Sequence, residues 1–379
     1  MLNREAMLSE KMAICTAVME DEYNGAPVPP IYQNSLFLSK PSNIGGYGYS
    51  RASNPTVEYT EKVIAKLEHA ERALCFSSGM GAISASVLSC LSAGDHVVAM
   101  RNIYGPTVMV IDDILSRFGV RMTRIDKFGV EDFEAAITPE TKLIYLESPS
   151  YLFFEIVDLR AVTALAKSRG IITIIDNSWS SPIFQNPIDM GVDIVVHTAS
   201  KYLGGHSDIV AGVACGSKEL MDKVQNESRS LIGACIGPHD GWLMMRGIRT
   251  LALRVLQHET SALKTAAFLE NHENVAKAFY PGLPSHEGYE LAKTQMGGYT
   301  GLLSFLIYKK PDDNFITKLK TVHTAPSWGG FESLAVDFGN PRELPADANG
   351  RTPAMIRLFV GLEPADIIIE DLDQALKQI

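Results

Sequence analysis

The residues best equipped for chemistry lie in the run Thr198-Ala199-Ser200-Lys201-Tyr202-Leu203-Gly204-Gly205-His206-Ser207-Asp208. Lys201 comes straight after an apolar run, 193–197, of the kind that makes a buried strand, and lysine avoids such positions unless it has a partner or a task. Flanked by hydroxyls and glycines, its amine is placed to form a Schiff base with a carbonyl. About one strand-helix-strand crossover earlier, Asp176 ends the run IITIID, so acid and amine are expected at neighbouring strand tips. An amine that captures an aldehyde, beside an acid that keeps a pyridine nitrogen protonated, is the pair that pyridoxal phosphate requires. Alone, each residue has an ordinary use, Asp176 as a cap or turn residue and Lys201 as half of an ion pair.

An anion site is also legible. Ser77-Ser78-Gly79-Met80-Gly81 precedes an apolar helical stretch, 82–91, and backbone N–H groups at a helix N-terminus receive phosphate well. The same glycines also suit a tight turn. The elements that must position these groups are short apolar runs: 96–100, 143–147, 171–176, 193–197 and 209–215, separated by amphipathic stretches. Runs this continuous are strands buried on both faces, which predicts an α/β fold with a mainly parallel sheet and helices on both faces. In such sheets ligands gather beyond the carboxyl ends of the strands, which directs attention to Tyr104, 147–150, 176–179 and 198–206. A helix is expected from Pro55, where Val57, Val63, Ile64 and Leu67 recur at helical spacing. The Pro- and Gly-containing segment before it reads as a short helix and an irregular arm, 1–50, that needs something to lie against. The large cofactor-binding domain is expected over 51–240. A long helical pattern from Gly241 to about Asn271 then leads into a smaller α+β domain, 241–379, with strands at 301–308 and 355–363 and a closing helix.

Composition narrows the partners. With Lys+Arg 34 against Asp+Glu 44 the net charge is −10, and no dense basic stretch suggests nucleic acid or anionic lipid. No apolar run approaches the ~20 residues of a membrane span, and the N-terminus lacks the uninterrupted apolar core of a signal peptide. The five cysteines, Cys15, Cys75, Cys90, Cys215 and Cys235, show no metal-ligand spacing and fit reduced thiols. A cytoplasmic protein with a small-molecule partner and no metal is the expectation.

Several motifs occur in a fixed order: Tyr49-Ser50-Arg51-x-x-Asn54-Pro55-Thr56, Ser77-Ser78-Gly79-Met80, Tyr104-Gly105-x-Thr107, Glu147-Ser148-Pro149, Asp176-Asn177-x-Trp179, Ser200-Lys201-Tyr202 with Gly205-His206-Ser207-Asp208, and Ile356-Arg357-Leu358. In this the chain resembles, over nearly its whole length, the Cys/Met-metabolism pyridoxal phosphate enzymes. The resemblance implies a fold-type I transferase-like architecture, with active sites shared between subunits in a homotetramer built as a dimer of dimers. It implies Lys201 as the cofactor-bearing lysine and Asp176 as partner of the pyridinium nitrogen. Tyr104 would stack on the cofactor and assist proton transfer. Gly79, Met80, Thr198 and Ser200 would hold the phosphate, joined by Tyr49 and Arg51 of a neighbouring subunit. Arg357, supported by Ser327, would bind the substrate α-carboxylate, with Trp328 and Tyr49 also facing substrate.

The resemblance leaves two branches of chemistry. Trp328 directly after Ser327 resembles bacterial cystathionine β-lyases, which favours a carbon–sulfur lyase that converts cystathionine to pyruvate, ammonia and homocysteine. The alternative is a γ-acting enzyme: a cystathionine or methionine γ-lyase, a cystathionine γ-synthase or an O-acylhomoserine sulfhydrylase. Three departures bear on the choice. Ser150-Tyr151-Leu152 replaces the usual segment whose Asn contacts the cofactor's 3-oxygen. Gly48 stands where cystathionine γ-lyases often carry Glu, and Met109 near a position where they can carry Arg.

Overall fold

The computed structural model describes residues 3–18, 24–43 and 45–379; the parts of the expected arm at 1–2, 19–23 and 44 lie outside them. Seven strands form the larger sheet: β1 (Arg72–Phe76), β2 (His96–Met100), β3 (Arg121–Ile125), β4 (Thr141–Glu147), β5 (Ile172–Asp176), β6 (Ile194–Thr198) and β7 (Gly212–Gly216). Their order across the sheet is β1-β7-β6-β5-β4-β2-β3. All neighbours from β3 to β6 run parallel, and β7 is antiparallel to both β6 and β1. The five runs chosen from sequence correspond to β2, β4, β5, β6 and β7. The other two strands carried no comparable signal, because β1 is a short RALCF segment and β3, RMTRI, is a charged edge strand.

Helices cover both faces, as a parallel sheet requires. The helix Pro55–Leu67 starts where expected, with Pro at its first turn and the Asn54 side chain accepting from Thr56 N at 3.0 Å. The helix Gly79–Cys90 is capped by Ser78, whose hydroxyl accepts from Gly81 N at 2.9 Å, and it packs against β6 and β7. Its close fit has a cause in sequence: a Cβ on Gly212 of β7 would lie 2.1 Å from Ser78 O. The long helical pattern after Gly241 resolves into two helices, Pro238–Ile248 and Leu251–Glu270. Gly247, near the end of the first, lets the lysine-bearing turn come close; a Cβ there would lie 2.2 Å from Gly204 O.

The second sheet has strands β8 (Val275–Phe279), β9 (Leu302–Lys309), β10 (His323–Thr324), β11 (Leu334–Asp337) and β12 (Thr352–Phe359), in the order β10-β11-β12-β9-β8. β9 and β12 pair antiparallel along eight positions, and the helix Ala365–Leu376 closes the chain. The loop after β10 and the middle of β12 bring Ser327, Trp328 and Arg357 to the carboxyl ends of β4, β5 and β6. Among the described residues no helix is long and apolar enough to cross a membrane.

Candidate active site

The carboxyl ends of β4, β5 and β6 open into a cleft lined among others by Tyr104, Asp176, Thr198, Lys201, Trp328 and Arg357. Lys201 enters it from a tight turn after β6, where Lys201 N donates to Thr198 O at 3.1 Å and Gly205 N donates to Lys201 O at 2.7 Å. Its amine donates to Ser327 Oγ at 2.8 Å and stands 5.4 Å from the centre of the Trp328 ring. Burial, with the nearby Arg357 charge, lowers its pKa from 10.5 to about 8 against the opposing pull of Asp176.

Asp176 is buried at the tip of β5, directly across from Glu147 at the tip of β4. Ser178 N donates to Asp176 Oδ1 at 2.9 Å, and Thr198 N donates to Ser178 Oγ at 2.6 Å, so Ser178 ties two of the strand ends together. Burial raises the pKa of Asp176, while Ser178, His197 and Lys201 favour its ionised form. Glu147 is pushed further: burial and the Asp176 charge hold its pKa well above the usual carboxylate range, although it accepts from Tyr104 N at 2.7 Å. Facing one another in register at the two strand tips, the carboxyls of Glu147 and Asp176 oppose each other's ionisation. Behind them His197 Nε2 and Glu68 Oε1 share a buried hydrogen bond, and Asn177 Nδ2 donates to the same Glu68 oxygen at 3.1 Å. Glu147 and Ser178 were passed over as site residues in the sequence, although both fall within the segments that end β4 and follow β5.

The helix Gly79–Cys90 starts beside Thr198, a residue that lines the cleft. Ser78 satisfies Gly81 N, and helix geometry leaves the N–H groups of Gly79 and Met80 without intrahelical acceptors. Gly79 lies against Thr198, since a Cβ on it would come 2.3 Å from Thr198 Oγ1. Ser200 is turned to the backbone of Ala211, accepting from its N at 2.9 Å and donating to its O at 3.3 Å. Tyr49 and Arg51 are exposed, with the guanidinium 5.7 Å from the Tyr49 ring centre, and neither lines the cleft of its own chain.

Arg357 is only 4% exposed and, among the described residues, has no acidic partner. Its Nη1 donates to the Tyr151 hydroxyl at 2.9 Å, and the guanidinium carbon stands 5.4 Å from the centre of the Tyr151 ring and 5.1 Å from that of Phe338. The Tyr104 and Tyr151 rings meet edge to face with centres 6.2 Å apart. Burial and the Asp176 and Glu147 charges raise the pKa of Tyr104, which keeps its phenol protonated at neutral pH.

A partly neutral amine, a buried acid, a helix start that a glycine leaves open and an unpaired buried guanidinium fit a cofactor with an aldehyde, a ring nitrogen and a phosphate, plus an anionic substrate. That donor set defines a pyridoxal phosphate enzyme. The sequence matches the family described as Cys/Met metabolism PLP-dependent enzyme over residues 10–377, and the chain belongs to that family and uses its cofactor. It is 42% identical to cystathionine gamma-lyase of Bacillus subtilis (strain 168), over 98% of this chain and 100% of that protein. It is 41% identical to cystathionine beta-lyase of Lactococcus lactis subsp. cremoris (strain MG1363), over 95% of this chain and 97% of that one. The crystal structure of metB from Corynebacterium glutamicum superposes with a TM-score of 0.90 at 34% identity, covering 97% of each chain. The expected fold class holds, and the protein is an enzyme.

Proposed function

We propose that the protein is a carbon–sulfur β-lyase whose substrate is cystathionine, releasing pyruvate, ammonia and homocysteine. The observation that carries this reading is Trp328, whose ring stands 5.4 Å from Lys201 Nζ and 5.4 Å from the ring of Tyr202. Braced there, its bulk narrows the space beside the lysine, which favours elimination at Cβ. Pyridoxal phosphate, when bound, withdraws electrons from the substrate Cα and so weakens its C–H bond. Lys201 and Asp176 hold it at the aldehyde and ring nitrogen. Gly79 and Met80 N–H and Thr198 hold its phosphate, joined by Tyr49 and Arg51 of a neighbouring subunit, and Ser200 joins them by turning its hydroxyl away from the Ala211 carbonyl.

The substrate α-carboxylate binds Arg357 with help from Ser327, while Tyr49 of the neighbour borders the substrate. The substrate amine takes the place of Lys201 at the aldehyde, which leaves Lys201 Nζ free to take the Cα proton, and the protonated phenol of Tyr104 supplies one to the departing thiolate. Within the arm 1–50 the helix Arg4–Thr16 packs on the helices Pro55–Leu67 and Leu251–Glu270 of its own chain, with Lys11 Nζ donating to Leu67 O at 2.6 Å, and the exposed stretch after it lies on the neighbouring subunit of a cytoplasmic homotetramer, with the cofactor held mainly by 51–240 and the substrate end closed by 241–379. The exposed side chains of Tyr49, Arg51 and Leu36 support that role for the arm.

The test is the carbon skeleton left after the purified, cofactor-loaded enzyme acts on cystathionine. Pyruvate with homocysteine is the expected result. Release of 2-oxobutyrate with cysteine overturns the β-lyase reading in favour of γ-elimination, the reaction implied by the name of the Bacillus subtilis relative.

A further inference from the structure

Tyr151 does more in this cleft than fill it. Arg357 has five N–H donors, yet among the described residues its one hydrogen-bonding partner is the Tyr151 hydroxyl, at 2.9 Å. A phenol that accepts through oxygen still has its own proton to give, and among the described residues the Tyr151 hydroxyl has no acceptor. Burial raises its pKa, so the proton stays in place at neutral pH despite the adjacent guanidinium.

The ring is fixed by its surroundings. Phe338 meets it edge-on with centres 6.0 Å apart, and Tyr104 does so at 6.2 Å. Its backbone is pinned as well: Tyr151 N donates to Asn102 O at 3.1 Å, Phe154 N to Ser150 O at 3.1 Å and Ser150 N to Glu155 O at 3.0 Å. Two bulky residues of this loop adopt left-handed backbone, Leu152 at φ 73 and Phe154 at φ 56, a conformation such side chains rarely take unless the surroundings impose it. The loop thus holds the tyrosine where its oxygen meets Arg357 at the edge of the cleft that contains Lys201.

We propose that Tyr151 is a second ligand of the substrate α-carboxylate, accepting a hydrogen bond from Arg357 and donating its own hydroxyl proton to a carboxylate oxygen. The inference rests on the reading of Arg357 as the carboxylate's cationic partner. A carboxylate has acceptor sites for both groups, and a guanidinium with a phenol at its side fixes the anion's orientation as well as its charge. The segment that departs from the family pattern here thereby serves the substrate.

The experiment compares Tyr151→Phe and Arg357→Lys with the unaltered enzyme, all loaded with cofactor. n-Butyrate, which has the carboxylate but no amine, is the non-reacting probe. Phenylalanine keeps the ring and its packing, so loss of the hydroxyl alone is read. The expected result for Tyr151→Phe is a rise of about tenfold in the butyrate inhibition constant and in KM, a smaller fall in kcat and an unchanged cofactor absorbance before substrate is added. An unchanged butyrate constant overturns the proposal, and if the cofactor absorbance then shifts, the hydroxyl belongs to the cofactor instead. Should Arg357→Lys weaken butyrate while Tyr151→Phe does not, only the tyrosine inference falls. If Arg357→Lys leaves butyrate binding intact, the reading of Arg357 itself fails.

Discussion

Titrating the apoprotein at Lys201 tests the electrostatics of the cleft directly. The pKa of its amine falls from 10.5 to about 8, chiefly through burial and secondly through the charge of Arg357. At pH 7 that change raises the neutral share of the amine from about 0.03% to about 10%, roughly 300-fold, and the neutral amine is the form that attacks an aldehyde. The apoprotein is pulsed with formaldehyde and cyanoborohydride from pH 6 to 11, and methylation of the Lys201 peptide is followed by mass spectrometry against a lysine peptide standard. The expected midpoint is near 8. Replacing Arg357 by Gln removes one of the two downward influences and leaves the upward pull of Asp176, so the midpoint should move to higher pH. A midpoint near 10 in the unaltered protein would refute the reasoning, because it would mean that the amine is solvated like any surface lysine. An unchanged midpoint in Arg357→Gln would show that burial acts alone.

Two further outcomes concern the scaffold. A methyl group on Gly212 would lie 2.1 Å from Ser78 O and 2.8 Å from Gly79 Cα. Gly212→Ala is therefore expected to lower stability by about 1–3 kcal/mol and to weaken cofactor binding, read by urea unfolding and by cofactor titration; unaltered values for both would contradict the tight fit. His258 is buried, its Nε2 without a partner among the described residues, its pKa lowered from 6.5 to about 4 chiefly by burial, and its Nδ1 near the carbonyls of Val360 and Gly361 at 3.0 and 3.1 Å. Between pH 6.5 and 4 the unfolded chain takes up a proton at this position and the folded chain does not, so stability falls as pH falls through that window, by about 3 kcal/mol in all. Urea unfolding from pH 7 to 4 should show this loss, and His258→Gln should flatten it; equal slopes in the two proteins would remove His258 as the cause.

Much of this enzyme can be read from its sequence, for local reasons. Apolar runs such as HVVAM and IITIID have one stable placement, inside a sheet covered on both sides, and their ends mark where ligands gather. Lys201 and Asp176 stand out because charge at the tip of such a run needs a partner or a task. Pro55 after Asn54, and Ser78 before Gly79, announce helix starts through capping chemistry that spans only a few residues. What the sequence left open was set by distance along the chain. Ser327, Trp328 and Arg357 reach Lys201 only because the second sheet folds back over the strand tips, and no periodicity reports such a contact. The pairing of Glu147 with Asp176 depends on β4 lying beside β5 in register, which sets the two buried carboxyls against each other's ionisation. Tyr151 is visible in sequence as a departure from the family pattern. That its hydroxyl meets a guanidinium from the far end of the chain with no other partner among the described residues is decided by tertiary structure alone, because burial removes the water that would otherwise satisfy Arg357.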